Sequence, residues 1–320
     1  MLLRGLAFDA ATTKRQNTTH FRSFTPKRTS ADLHVRIFCT LDKTTANKHR
    51  VFGGQGNTQD YFTELRGLYA TYGCLLDDII DFGSMIFEQL LAEDTVIDQY
   101  PLGLDFAKWL KKPETTPDSD YLLSAPVSFP LIALGQLASF YIACKVWGLT
   151  PGDVIENLQG STGHSQGIIV AAGLATCRTW DDFEGTFRAC LVALFFTGCR
   201  SQQQFPHKTS WQKMVQDDAE CVEEPTPMIN IKHLPRAELE KQVNAFNHHL
   251  PRYQHVAVAL VNGPDNIVCG GPPESLKSFV SWLEDVKKSQ QKIKPLSGKI
   301  LETRYLPISA PFHTFYLGKC

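Results

Sequence analysis

No excess of charge of either sign runs through these 320 residues: 32 Lys and Arg stand against 33 Asp and Glu, a formal charge of −1. That balance implies neither the broad basic face of a nucleic-acid binder nor an acidic tail. The nine cysteines are scattered, with no C-x-x-C pair. Their spacing argues against a zinc site or a disulfide scaffold and for a reducing compartment, so no metal is expected and the cytoplasm is the expected location. An uninterrupted apolar run of membrane-spanning length is also missing. The most apolar stretch, Pro126 to Leu149, is broken by Pro130, Gly135, Gln136, Ser139 and Lys145. It reads as a buried helix starting near Pro130. Acids are scarce at the start, where Asp9 is the one carboxylate in the first thirty residues. That Arg-, Lys-, Ser- and Thr-rich composition is also the composition of a transit peptide, but no Arg-bearing amphipathic helix emerges. Residues 1–50 therefore read as a disordered arm, with "HVRIFCTL" (34–41) as a candidate strand.

What the chain does contain is an apolar share of 43%, ample for a packed core in about one to three domains. After the glycine turn "GGQG", Phe62, Leu65, Leu68 and Tyr69 fall on one helical face, and a second helix covers about Leu75 to Ala92. Another helix is expected over Trp180 to Gly198, followed by a polar loop from about Ser201 to Glu224. The pattern then changes to strand "PMINIKHL", helix "PRAELEKQVNAFNHHL", strands "VAVALVNG" and "NIVCGG", helix "PPESLKSFVSWLEDVKK" and strand "KILETRYLPI". The order β-α-β-β-α-β is the ferredoxin-like split motif.

"STGHSQGIIVAAGLA" places Ser165 between Gly163 and Gly167 at the start of an apolar helix. G-x-S-x-G is the nucleophile-elbow pattern: the serine stands on a tight strand-to-helix turn, and bulky neighbours would clash. The unpaired N–H groups at the start of the helix can hold an oxyanion, and the Gln166 N–H is best placed. Taken alone, the pattern fits a helix cap equally well. A serine nucleophile needs a base. His313, in the apolar "SAPFHTFYL" just after an expected strand end, is one candidate, although a buried histidine in such a segment is more often structural. His164 adjoins the serine, so its side chain is expected to project elsewhere, and His248 and His249 read as solvated.

Three segments together, "FGGQGNTQDYFTELRGLY", "STGHSQG" and "YLPISAPFHTFYL", resemble the acyl-carrier-protein acyltransferases. More narrowly, they resemble the acetyltransferase (starter) domain of the fungal fatty acid synthase beta subunit, within the malonyl/acyl-CoA:ACP transacylase superfamily. The resemblance covers about Val51 to Leu317. It implies an α/β fold, with a hydrolase-like acyltransferase core containing a parallel sheet and a ferredoxin-like inserted subdomain. The expected domains are residues 51–224 with 309–320 for the core and 225–308 for the insert. It also implies Ser165 as nucleophile, His313 as general base, and Gln55 and Gln166 at the oxyanion hole. Gly54, Gly56, His164, Gly167, Ile168, Leu191 and Asn262 would form the substrate pocket. Acyl-CoA would be the donor substrate and the phosphopantetheine of an acyl carrier protein the acceptor. No tightly bound cofactor and no membrane or nucleic-acid partner are implied. A fatty acid synthase alpha subunit would join in assembly.

Malonyl-selecting relatives read GHSxGE and carry an arginine about 25 residues later, which pairs with the malonyl carboxylate. Here Ile168 takes the Glu place and Cys190–Leu191 the arginine zone, with Arg188 on a different helical face. A neutral acyl group, acetyl or another short starter, is therefore expected. Two departures stand out. The approach to GGQG, "TTANKHRV", is polar where the family has an apolar strand. The segment that would orient the histidine in the family lies beyond Cys320, so the core is expected to be truncated at its C-terminal end. A non-catalytic fragment and a serine hydrolase or thioesterase are the alternative readings.

Overall fold

The computed structural model describes residues 49–55, 61–205, 225–289 and 300–318. The expected arm and the strand at 34–41 lie outside these residues, as does most of the expected loop at 201–224. The described residues open with β1 (His49–Phe52), followed by the helices α1 (Tyr61–Leu91), α2 (Phe106–Lys111), α3 (Ser119–Leu123), α4 (Ala125–Trp147) and α5 (Pro151–Glu156). Next come β2 (Gly160–Gly163), α6 (Gly167–Ala175) and α7 (Trp180–Gln204). The remainder is β3 (Met228–Lys232), α8 (Arg236–Asn247), β4 (Ala257–Gly263), β5 (Asn266–Gly270), α9 (Pro273–Ser289) and β6 (Glu302–Tyr305).

β1 pairs parallel with β2, Phe52 opposite Gly163. This corrects the expectation drawn from its polar approach. Arg50 enters the interior with its guanidinium over the rings of Phe52 and Phe140, at 4.9 and 4.8 Å. A delocalised cation buried on two aromatic faces substitutes for the missing aliphatic side chain. The two expected helices at residues 61–92 are both present, running on from one another as α1 across a kink at Tyr72, whose backbone (φ −126°, ψ 20°) is not helical. Its apolar stripe, including Leu76, Ile79, Ile80 and Phe87, is buried.

α4 starts at Ala125, five residues before Pro130. Proline removes a helical N–H and frees the carbonyl four residues back. That carbonyl, of Pro126, accepts the Tyr100 hydroxyl at 2.9 Å instead, so Pro130 sits inside the helix without leaving a buried orphan. By length and composition α4 could cross a membrane, but most of it is buried within the protein. α7 begins at a capping box between Thr179 and Asp182 and runs on to Gln204. Ser201 and Gln202 are helical and buried, because Gln202 has partners at both ends of its amide: Nε2 donates to the Phe205 carbonyl at 2.8 Å and Oε1 accepts from Ser309 at 2.6 Å.

The last four strands form an antiparallel sheet in the order β4-β5-β3-β6. Combined with α8 and α9, this is the ferredoxin-like arrangement. Strand alternation gives the sheet two apolar faces. Ile229, Ile231 and Ile267 pack under the helices with Leu239 and Phe279. Met228 and Val268 point the other way and meet Ile308 and Phe312. Phe312 stacks on Phe129 of α4 with ring centroids 4.6 Å apart. The second face of the sheet thus seats the chain segment that leads to His313.

Candidate active site

The turn between β2 and α6 is built by glycine. A Cβ at Gly163 would overlap the backbone of Gly167 and Ile168, and one at Gly167 would press on the carbonyls of Phe52 and Gly53. The His164 N–H donates to the Phe52 carbonyl at 2.9 Å, and the Gly167 N–H donates to the His164 carbonyl at 3.0 Å. Between them Ser165 is forced to φ 52°, a left-handed backbone that serine rarely adopts. Such strain persists only where the surroundings over-determine it.

His313 comes from 148 residues further along, and its Nε2 lies 2.9 Å from Ser165 Oγ. It too has a left-handed backbone, φ 61°. Its loop is held from three sides. The Ser309 hydroxyl donates to Gln202 Oε1 and accepts the Ala125 N–H at 2.8 Å, tying the loop to the end of α7 and the start of α4. Phe312 stacks on α4. Thr314 donates to the Pro311 carbonyl at 2.6 Å and lies against Gly270 at the end of β5, where a Cβ would crowd it. Burial, with a smaller contribution from nearby His164, lowers the His313 pKa below the ordinary 6.5. The imidazole is therefore neutral at pH 7. With its proton on Nδ1, Nε2 is free to accept the serine hydroxyl proton.

The remaining predicted site residues divide into groups. Gly54 packs directly on the turn: a Cβ there would come within 2.8 Å of the His164 carbonyl and 3.0 Å of the Ser165 Cβ. Gln55 is buried, and its side chain turns away from the serine, with Nε2 donating to Ser128 Oγ at 2.5 Å. Any contribution of Gln55 at the oxyanion is thus limited to its backbone. Gln166 is 4% exposed and occupies the N-cap position of α6 without a side-chain capping bond. Its N–H has no backbone partner among the described residues and belongs to the positive end of that helix. Gly56 lies outside the described residues. Ile168 is 59% exposed, whereas Leu191 is fully buried inside α7, a core position and not an open pocket wall. Beside it, Cys190 is buried, which pushes its thiol up to about 11 and leaves it uncharged. Arg188 donates to Gln89 Oε1 at 3.3 Å and lies over Phe82, so its charge is engaged on α1.

His164 and Asn262 are brought together, with Nε2 3.1 Å from Oδ1. The sequence suggests each as a separate pocket residue. Their pairing joins positions 98 apart and carries no sequence signal. Ser309 and Gln202 were not singled out either; only the adjoining "APFH" hints at Ser309. Among the described residues no group of three His, Cys, Asp or Glu is placed to hold a metal ion.

This geometry can be set beside known proteins. The chain is 38% identical over 306 residues to the fatty acid synthase subunit beta of Saccharomyces cerevisiae, covering 92% of this chain and 14% of the yeast protein. It is 41% identical over 278 residues to the fatty acid synthase beta subunit aflB of Emericella nidulans, covering 85% and 13%. The chain thus spans roughly one seventh of the length of these relatives. Among solved structures, MCAT from Streptococcus pneumoniae is similar at a TM-score of 0.51 and 19% identity, covering 85% of this chain and 66% of that one. The acyl-carrier-protein S-malonyltransferase of Burkholderia pseudomallei is similar at 0.51 and 17%, with the same coverage. At these identities the structural likeness speaks for the fold, an α/β acyltransferase core with a ferredoxin-like subdomain. The family described as starter unit:ACP transacylase in aflatoxin biosynthesis matches residues 50–313, the stretch that carries both Ser165 and His313. The chain belongs to that starter unit:ACP transacylase family.

Proposed function

We propose that this chain is an acyl-carrier-protein S-acetyltransferase that loads acetyl, or another short neutral starter, in fatty acid synthesis. Acyl-CoA is the donor and the phosphopantetheine thiol of a carrier protein the acceptor, and a fatty acid synthase alpha subunit is the assembly partner. The observation that carries this reading is the 2.9 Å contact between Ser165 Oγ and His313 Nε2, made by two residues both held in left-handed backbone.

The chemistry follows from the geometry. His313 takes the Ser165 proton as Oγ attacks the thioester carbon. The charge that develops on the carbonyl oxygen is met by the Gln166 N–H at the start of α6, with the backbone N–H of Gln55 as the second donor of this proposal. The tetrahedral intermediate collapses, the thiolate of CoA leaves with the proton from His313, and an acyl-serine ester remains. The carrier-protein thiol then gives its proton to His313 and attacks the ester, and Ser165 Oγ leaves, taking that proton back from His313. The acyl group is inferred to be neutral because the position of the carboxylate-binding arginine holds buried Cys190 and Leu191, while Arg188 is engaged on α1. A malonyl carboxylate would be desolvated there without a partner. The test is a transfer assay with holo carrier protein. Initial rates against acyl-CoA at several carrier concentrations should give the parallel lines of a ping-pong mechanism, with acetyl-CoA well above malonyl-CoA. Intersecting lines, or hydrolysis without transfer, would overturn the proposal.

A further inference from the structure

His164 stands directly before the serine and packs against the loop at Gly54. Asn262 is on β4, at the exposed edge of the antiparallel sheet. In their contact the His164 Nε2–H donates to Asn262 Oδ1 at 3.1 Å. The other ring nitrogen, Nδ1, is buried without a hydrogen-bond partner and faces Gly54, where an added Cβ would come within 3.0 Å of it. The ring is thus wedged against the β1 loop on one side and tied on the other to a strand of the inserted subdomain. The same subdomain seats the base, because the end of β5 at Gly270 packs on Thr314, the residue after His313. Serine and histidine come from separate parts of the chain, and the antiparallel sheet touches the neighbour of each.

We propose that Asn262 is a positioning residue whose side-chain oxygen clasps His164, and that this clasp registers the subdomain against the nucleophile turn so that Ser165 and His313 meet at proton-transfer distance. The inference rests on the reading of Ser165 as the acylated residue. A role in gripping substrate would use the Asn262 amide nitrogen, a donor; the clasp uses the oxygen, an acceptor. Asn262→Asp keeps an acceptor and removes the donor, whereas Asn262→Ala removes both.

The test is the rate of labelling of the full chain by a fluorophosphonate probe, which reads serine activation without acyl-CoA, followed by acyl-enzyme formation from acetyl-CoA. Asn262→Ala should label about 10- to 100-fold more slowly, the scale of a small misplacement of reacting groups. Its KM for acyl-CoA should hardly move and its thermal midpoint should stay near wild type. Asn262→Asp should recover most of the rate. The His164→Ala/Asn262→Ala double variant should be no slower than the worse single variant, since both changes break one contact. Asn262→Ala labelling at the wild-type rate would overturn the clasp. So would Asn262→Asp matching the slow alanine variant with a raised KM, because that pattern assigns the amide nitrogen to substrate. If Asn262→Ala fails to fold, Asn262→Asp decides alone. A wild-type chain labelled by neither probe would bring down the underlying reading of Ser165, an outcome distinct from both.

Discussion

Ser165 and His313 each occupy backbone conformations that cost a non-glycine residue of order 1–3 kcal/mol, and the fold spends that strain on a 2.9 Å contact. Replacing His313 by Ala should slow acylation of Ser165 by several orders of magnitude, up to about 10⁴, with the thermal midpoint nearly unchanged. The pH dependence has a definite sign. Because burial holds the His313 pKa below 6.5, the acylation rate should rise with pH through a midpoint below that value and stay flat through neutrality. A midpoint above 6.5 would contradict the described environment. The same group favours the folded state above its unfolded pKa, a contribution lost as pH falls through the lower folded one. Gly163→Ala should destabilise the chain by about 1–3 kcal/mol, since its Cβ would meet backbone atoms that cannot swing away. At this scale the sequence is most legible. G-x-S-x-G states the need for space at a bend, and the family resemblance points to His313 from far along the chain. What the residues do not disclose is direction: Gln55 points its amide at Ser128, and Arg188 points its charge at Gln89. Side-chain aim is decided by neighbours remote in sequence.

Elements extend the same lesson. α8, α9 and the four strands of the ferredoxin-like sheet are legible because their periods are clean and their turns carry Gly and Pro. β1 is not, since a strand containing Arg50 looks solvated until Phe52 and Phe140 supply the faces that accept it. The start of α4 is misread at Pro130 because the Tyr100 hydroxyl that satisfies the freed carbonyl lies 26 residues away. The extension of α7 to Gln204 depends on Ser309, more than a hundred residues on. That single hydroxyl bonds to both α7 and α4. Ser309→Ala should therefore leave the buried Gln202 oxygen and the Ala125 N–H without this partner. The expected loss is about 1–3 kcal/mol in chemical denaturation, with a fall in acylation rate because the loop to His313 loses its anchor.

At the scale of the molecule, two bodies of secondary structure meet where the chemistry is proposed to occur, one raising the serine and the other bracing the histidine loop and the His164 ring. The chain matches about one seventh of the length of its fatty acid synthase relatives, so its activity and its carrier-protein and alpha-subunit partners are part of the proposal. Selectivity also belongs to this scale, since it depends on which charges the assembled fold leaves near the serine. With Cys190 and Leu191 buried and Arg188 turned to α1, acetyl-CoA should acylate the chain at least about 100-fold faster than malonyl-CoA, the cost of stranding a carboxylate by a few kcal/mol.

The most direct measurement is peptide-resolved mass spectrometry after brief incubation of the full chain with acetyl-CoA. One acetyl group should appear on the peptide containing Ser165, vanish in Ser165→Ala, and discharge on addition of a pantetheine thiol. An unmodified Ser165 peptide in the wild-type chain, or the same acetyl load in Ser165→Ala, would contradict the account.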